Sequence, residues 1–376
     1  MKYLTRFCFF LFILFISFSS SAQNENWRAK WIGVPYVEGD TNVWTAFRKE
    51  IVLSNIPGKA EVKIATDSKY WLWVNDKLVV FEGELKRGPN SSDTYYDELD
   101  LANYLRKGKN TIAILTWYWG RDGYDHKSSG KAALLFQGIL GNKLTVSDSS
   151  WKAIRHPAFG NTGLPLPNYR LPEFNIYFDA RKDISLWQHQ NFNDNTWANA
   201  VGYGTPPVAP WNNLVKRPIP LWKNSGLIPY VNQADIPKQS DGKLIIAKLP
   251  KNITITPYLK IIAPAGLKID IRTDNYKGGS EYNVRTEYIT KEDEQDFETF
   301  GYMNGHEVLY NIPAGVKIIS LKYRETRYNA ERVGEFSCDD SFYNKLWQKS
   351  YNTLNVNMRD AIQDPDRERA QWWEMR

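Results

Sequence analysis

Apolar and polar positions alternate with a period of two through EVKIAT (61–66), YWLWVN (70–75), KLVVFEG (77–83) and TIAILTWYWG (111–120). That period predicts strands with one buried face. Turn formers separate them, including Asn75-Asp76, Gly88-Pro89 and the KGKN run at 107–110,. No helix-length periodic segment intervenes, so this region is read as an antiparallel sandwich of the jelly-roll kind. Further on, LIIAKLP (244–250), ITITPYLKIIAPAGLKIDIRT (253–273) and VKIISLKYRETRY (316–328) are rich in β-branched residues and broken by Pro and Gly. They predict a second β-sandwich, interrupted by a charged, turn-rich insertion at 282–315. Phe342, Leu346, Trp347, Tyr351 and Leu354 then form a helical stripe, with Asp339, Asp340 and Ser341 as N-cap candidates,.

Tryptophan usage divides the chain at the same places. Twelve of the fifteen lie between Trp27 and Trp222, none falls between 223 and 346, and three follow from Trp347 onward. The expected layout is mainly β: a first domain over 23–222, a second over 223–335, and the start of a helical domain over 336–376. Two Asp-x-x-Trp spacings, at Asp148 to Trp151 and Asp194 to Trp197, suit turns closed by an Asp side chain without making a repeat fold,. The proline-rich 161–174 reads as an ordered surface loop, and 205–222 as a semi-rigid connector.

The first 22 residues carry Lys2 and Arg6, an apolar run from Phe7 to Phe18, and Ser20-Ser21-Ala22. This is the pattern of a secretory signal peptide cleaved near Ala22, and the run is shorter than the ~20 residues a membrane-spanning helix needs. The mature protein is therefore expected outside the cytoplasm, periplasmic or extracellular, with no membrane span. Its one remaining cysteine, Cys338, offers no intramolecular disulfide, so stability must come from core burial,. The formal charge of +6 falls by two, to +4, on loss of Lys2 and Arg6, and no basic block accompanies it. That balance argues against nucleic acid as a partner.

Two stretches carry candidate chemistry. DAIQDPDRERAQWWEMR (360–376) gathers Asp360, Asp364, Asp366 and Glu368 with three arginines and two tryptophans. Glycoside hydrolysis commonly uses two carboxyl groups flanking the scissile bond, and these acids are candidates for one of them. With the sequence ending at Arg376, the chain is expected to be the front of a larger enzyme, lacking the opposing carboxyl group and inactive by itself. Asp364 before Pro365, with acids following, is equally the pattern of a helix start. The second stretch, WYWGRDGYDHKSSGK (117–131), offers Trp119, Arg121, Asp122, Tyr124, Asp125 and His126 as a sugar-contact loop. Trp71, Trp73, Trp117 and Trp119 alternate as a stacking platform would, although packed core is the commoner use of such rings. Metal-ligand spacing, a phosphate-cradling glycine loop and a nucleophile elbow are all lacking, so neither metal nor cofactor is expected.

With these residues in view, the chain resembles the N-terminal part of a bacterial α-L-rhamnosidase. In that family β-sandwich domains precede an (α/α)6 barrel bearing the motif Asp-Cys-Pro-x-Arg-Glu-Arg followed by a tryptophan and Gly-Asp. Pro365, Asp366, Arg367, Glu368 and Arg369 match the run, and Trp372 and Trp373 stand at its aromatic positions. WRAKWIG (27–33), YWLWVNDK (70–77), FDAR (178–181) and RTEYITKE (285–292) also look like this family.

The resemblance implies an inverting hydrolase of terminal α-L-rhamnosyl residues, acting on rhamnose-containing glycans. It makes Glu368 the proton donor and the motif's leading Asp a ligand of the rhamnose ring. Here no cysteine precedes Pro365, so either Asp364 fills that position with one residue missing, or Gln363 stands there and the carboxylate is lost. Asp360, Arg367, Arg369, Trp372 and Trp373 would contact substrate. The motif's Gly-Asp is replaced by Glu374-Met375. The alternative reading is a non-catalytic carbohydrate-binding or structural β-sandwich module. The export signal gives the first testable outcome: mass spectrometry of protein recovered outside the cytoplasm should place the mature N-terminus at Gln23, and an intact Met1 terminus there would refute the signal reading.

Overall fold

The computed structural model describes residues 26–83, 87–122, 126–165, 175–275 and 284–359, and the backbone of 363–364 and 369–370. The signal segment lies outside them. The fold is mainly β, with strands arranged in three large sheets,. The first has seven strands, in the order Val201–Gly204, Trp31–Gly33, Leu134–Leu140, Glu61–Thr66, Thr94–Asp100 and Leu214–Lys216, with Lys143–Val146 paired to Leu134–Leu140. The second has six, in the order Ala198–Asn199, Lys152–Arg155, Val43–Leu53, Gly108–Tyr118, Lys69–Val74 and Lys77–Gly83. The third has nine strands and is built around the long, bent Ile245–Ala263.

The central part of the second sheet is buried on both faces, and this corrects the expectation of half-buried strands. In Lys69–Val74, Tyr70, Leu72 and Val74 join Ile64, Ile112, Ile114 and Phe136 in the core between the first and second sheets. Trp71 turns the other way, into a cluster shared with Ile255, Leu259 and Ile261 of the third sheet. The alternation was therefore between two apolar faces, one aliphatic and one aromatic. Trp44 joins the layers: its ring stacks on Trp117 at 4.5 Å in its own sheet and on Phe159 at 3.9 Å.

Phe159 belongs to the third sheet. Phe159–Gly160 pairs with Ile176–Asp179, which runs parallel to Thr286–Ile289. The segment that tryptophan usage assigns to the first region thus crosses over to complete the third sheet, because its extended backbone meets an open edge there. Buried Arg285 fixes the crossing by donating to the carbonyls of Gly163 and Pro165 and to Glu287.

The expected helix is Ser341–Asn357, with Asp340 as N-cap accepting from the Phe342 N–H at 2.7 Å. It touches the third sheet through Asn352, whose amide donates to the Asn252 carbonyl. Phe342 and Leu346 remain exposed, and Val356 is buried. Where a helix start was expected at Asp364, Gln363–Asp364 instead pairs with Arg369–Ala370 in a short antiparallel ladder. A residue before proline is steered to extended backbone, which suits a ladder as well as a cap.

Trp44→Ala should cost about 3–5 kcal/mol in urea unfolding, the range for removing a large buried aromatic. Val52→Ala, on the same face of that strand but at its exposed far end, should stay within about 0.5 kcal/mol. Equal effects would disprove the role assigned to Trp44.

Candidate functional site

Arg359 follows the helix directly and is the last described residue before the acidic motif. Its guanidinium lies between two rings, 4.3 Å from the centroid of Trp222 and 4.1 Å from that of Tyr302. Nη2 donates to Glu82 Oε1 at 2.6 Å, and Nη1 to Thr326 Oγ1 at 3.2 Å. Four separate segments therefore converge on one side chain: the second sheet, the connector, the strand Lys317–Arg327 and the region around Tyr302.

Lys69 completes the cluster. Its Nζ donates to the same Glu82 Oε1 at 2.8 Å and lies 4.6 Å from the Tyr302 centroid. Lys69 and Glu82 are fully buried, and Arg359 nearly so. Burial by itself would push the Glu82 carboxyl up, but the adjacent Arg359 and Lys69 cations overcome it and hold the group below its ordinary value,. Glu82 also takes a left-handed backbone, φ 63°, which is strained for a residue with a Cβ. Gly83 beside it lies so close to Tyr70 that a Cβ there would come within 2.1 Å of the ring.

The cluster reaches the loop singled out in the sequence. Lys69 Nζ is 5.6 Å from the Trp119 centroid, and Trp119 meets His126 edge-on at 4.9 Å. His126 Nε2 lies 3.0 Å from Asp67 Oδ1 and 3.1 Å from Ser68 Oγ. A Ser-His-Asp relay needs the two partners on different ring nitrogens; here both face Nε2, so the trio cannot pass a proton from serine to aspartate. Its work is structural. Asp67 Oδ2 accepts the Ser129 N–H at 2.6 Å, and Ser68 Oγ accepts the Trp119 N–H at 3.2 Å.

Of the loop candidates, Trp119 and His126 are in the core, so neither ring is free to cover a sugar face. Arg121 and Asp122 are exposed; Asp122 accepts from Lys127 Nζ at 2.7 Å and from the Ser128 N–H at 3.1 Å. Tyr124, Asp125, Asp360, Arg367, Glu368, Trp372 and Trp373 lie outside the described residues. For Asp364 and Arg369 the backbone alone is described, and the two sit opposite each other in the ladder. Sequence reasoning missed Lys69, Glu82, Trp222, Tyr302 and Arg359. The signal was a charge inside an apolar run: Lys69 opens a strand of YWLWV, and Glu82 stands between Phe81 and Gly83.

No protein-family model matches the sequence, and no curated protein matches it. Solved structures do. A GH78 family rhamnosidase of Bacillus sp. GL1 superposes over 92% of this chain and 60% of its own, with a TM-score of 0.78 at 16% identity. The α-L-rhamnosidase from Dictyoglumus thermophilum covers 91% and 40%, with 0.69 at 22%, and that from Aspergillus terreus 91% and 41%, with 0.67 at 19%. The chain has the fold of the matching part of these rhamnosidases and spans three-fifths or less of their length.

Glu82→Gln removes the shared carboxylate from two buried cations and should cost about 3–5 kcal/mol at neutral pH. Because the folded carboxyl lies below the 4.5 of a free glutamate, its contribution is present above that pH and lost as pH falls through the lowered value. Urea denaturation across this range should therefore show wild type and variant converging as the solution is acidified. A gap independent of pH would contradict the assignment.

Proposed function

We propose that this protein is a glycoside hydrolase that removes terminal α-L-rhamnosyl residues from rhamnose-containing glycans with inversion. The observation that carries this reading is a coincidence of two independent facts. The chain superposes on a GH78 family rhamnosidase over 92% of its residues, and the PDRER run follows shortly after the clamped Arg359.

In this reading Glu368 protonates the glycosidic oxygen as the bond to the anomeric carbon breaks. Water, deprotonated by a second carboxylate, attacks that carbon from the opposite face. The inverting geometry places the two carboxyls ~6.5–9.5 Å apart, with room for the water between them. Glu368 must hold its proton near neutral pH, and the flanking Arg367 and Arg369 oppose this by favouring the ionised form. Burial of the acid has to outweigh them. Asp364 or Gln363 takes the place that binds the rhamnose ring, with Asp360, Trp372 and Trp373 beside it. Polar contacts to the glycan are assigned to Arg121, Asp122, Tyr124 and Asp125. The Arg359 clamp then has a mechanical role: it ties the residue that precedes the motif to both β regions. The protein works after export, on glycans outside the cytoplasm.

The test is hydrolysis of an aryl α-L-rhamnoside, with the anomer of the first-formed sugar read by NMR. Inverted product is expected only where the second carboxylate and the rest of the barrel accompany this chain, with kcat then lowered about 10²–10⁴-fold by Glu368→Gln, the usual worth of general acid assistance. The chain by itself, which supplies no identified second carboxylate, is expected to show no turnover. Turnover unaffected by Glu368→Gln would reject the assignment. Saturable glycan binding without turnover would favour the carbohydrate-binding module.

A further inference from the structure

The aromatic interface between the second and third sheets opens at one end into a cleft of about 260 Å³. Lys69 and Trp73 point to the same side of their strand and lie roughly 13 Å apart along it. Trp73 lines the cleft, and no member of the Arg359 cluster does. The rings of Trp73, Phe159, Trp187 and Phe300 form its walls, and His156, Asp183, Gln188, Asp296 and Glu298 are its polar groups. Among the described residues no lysine or arginine lines it, although Arg324 bonds Glu298 at 2.7 Å.

His156 and Asp183 define what the cleft can accept. The Ala158 N–H points to His156 Nδ1 at 3.4 Å, which places the ring proton on Nε2. Nε2 faces Asp183 Oδ1 at 3.5 Å, too far for a good direct hydrogen bond. Burial takes the imidazole down to about 4, so it is neutral at pH 7. Burial also pushes the Asp183 carboxyl up, against smaller opposing effects of the Ser185 hydroxyl and Lys291. An ion pair would have shifted both groups the opposite way; desolvation dominates each. The cleft therefore presents an N–H donor and a carboxylate acceptor side by side, only weakly engaged with each other.

An anion is repelled by Asp183 and Asp296. A cation would satisfy Asp183 but cannot accept from Nε2–H. A hydroxyl group does both, donating to the carboxylate while accepting from the imidazole. The aromatic walls call for an apolar face on the same molecule. The volume is below the roughly 300–1,000 Å³ of sites for drug-sized ligands, which suits a single ring.

We propose that this cleft is a non-catalytic binding site for one neutral sugar ring of a glycan, held by His156 and Asp183 and covered by Trp73. It is independent of the hydrolytic reading, since no bond is broken there. The test is calorimetric titration of the Glu368→Gln protein with L-rhamnose, D-galactose and D-glucose, and with choline and acetate as charged probes. At least one sugar should bind saturably with Kd of about 1 mM or lower. Asp183→Asn and Trp73→Ala should each weaken it about tenfold or more, with the charged probes inert. Absence of saturable sugar binding, binding unchanged in both variants, or choline binding that depends on Asp183 would each overturn the proposal. Hydrolysis by the wild-type protein bears only on the catalytic reading, so the two can fail separately.

Discussion

A carboxylate fully withdrawn from water is tolerable only if the fold brings counter-charges to it, and Glu82 has two, Lys69 and Arg359,. Their arrangement constrains more than local electrostatics. Lys69 is in the same sheet as Glu82, but Arg359 comes from 277 residues further along the chain. Its guanidinium also needs Trp222 and Tyr302 on its two faces. Trp222 is in turn faced by Arg217, which is bonded to Asp97, the acceptor of the Tyr70 hydroxyl. The cluster thus links the core of the first two sheets, the connector and the segment entering the acidic motif. Losing one member leaves the others with buried charge or unfilled space, so the assembly is expected to respond as a unit.

The two-faced second sheet makes this possible. A sheet exposed on one side would have left Lys69 and Glu82 in solvent, where such a pair contributes little. Stacking the third sheet against it removes water from the whole Trp-rich face. Phe159, Phe178 and Phe300 then interlock with Trp44 and Trp71. The same packing leaves, at its far end, the cleft around His156 and Asp183. The packed interface and the cleft share residues: Phe159, Phe178 and Phe300 belong to both.

The structural likeness to solved rhamnosidases belongs to the fold, and the chemistry of the proposed reaction is assigned to the run after Arg359. The clamp is where one is attached to the other.

Much was legible in the sequence because it depends on near neighbours. Alternation over a few residues sufficed for the strands, and a stripe with an Asp cap for the helix. Tryptophan usage marked the first region, but not that 159–179 would leave it to edge the third sheet. Alternation in YWLWV could not say whether both faces are buried, since rings and aliphatics alternate there as well as polar groups would. Nor could it reveal that Lys69, Glu82, Trp222, Tyr302 and Arg359 meet, or that Trp119 and His126 turn inward and withdraw from the sugar-contact loop. Those outcomes depend on which sheet stacks on which, and hence on which charges lose their water. Only the assembled chain decides that, because desolvation is a property of surroundings drawn from distant segments and leaves no period in the residues themselves.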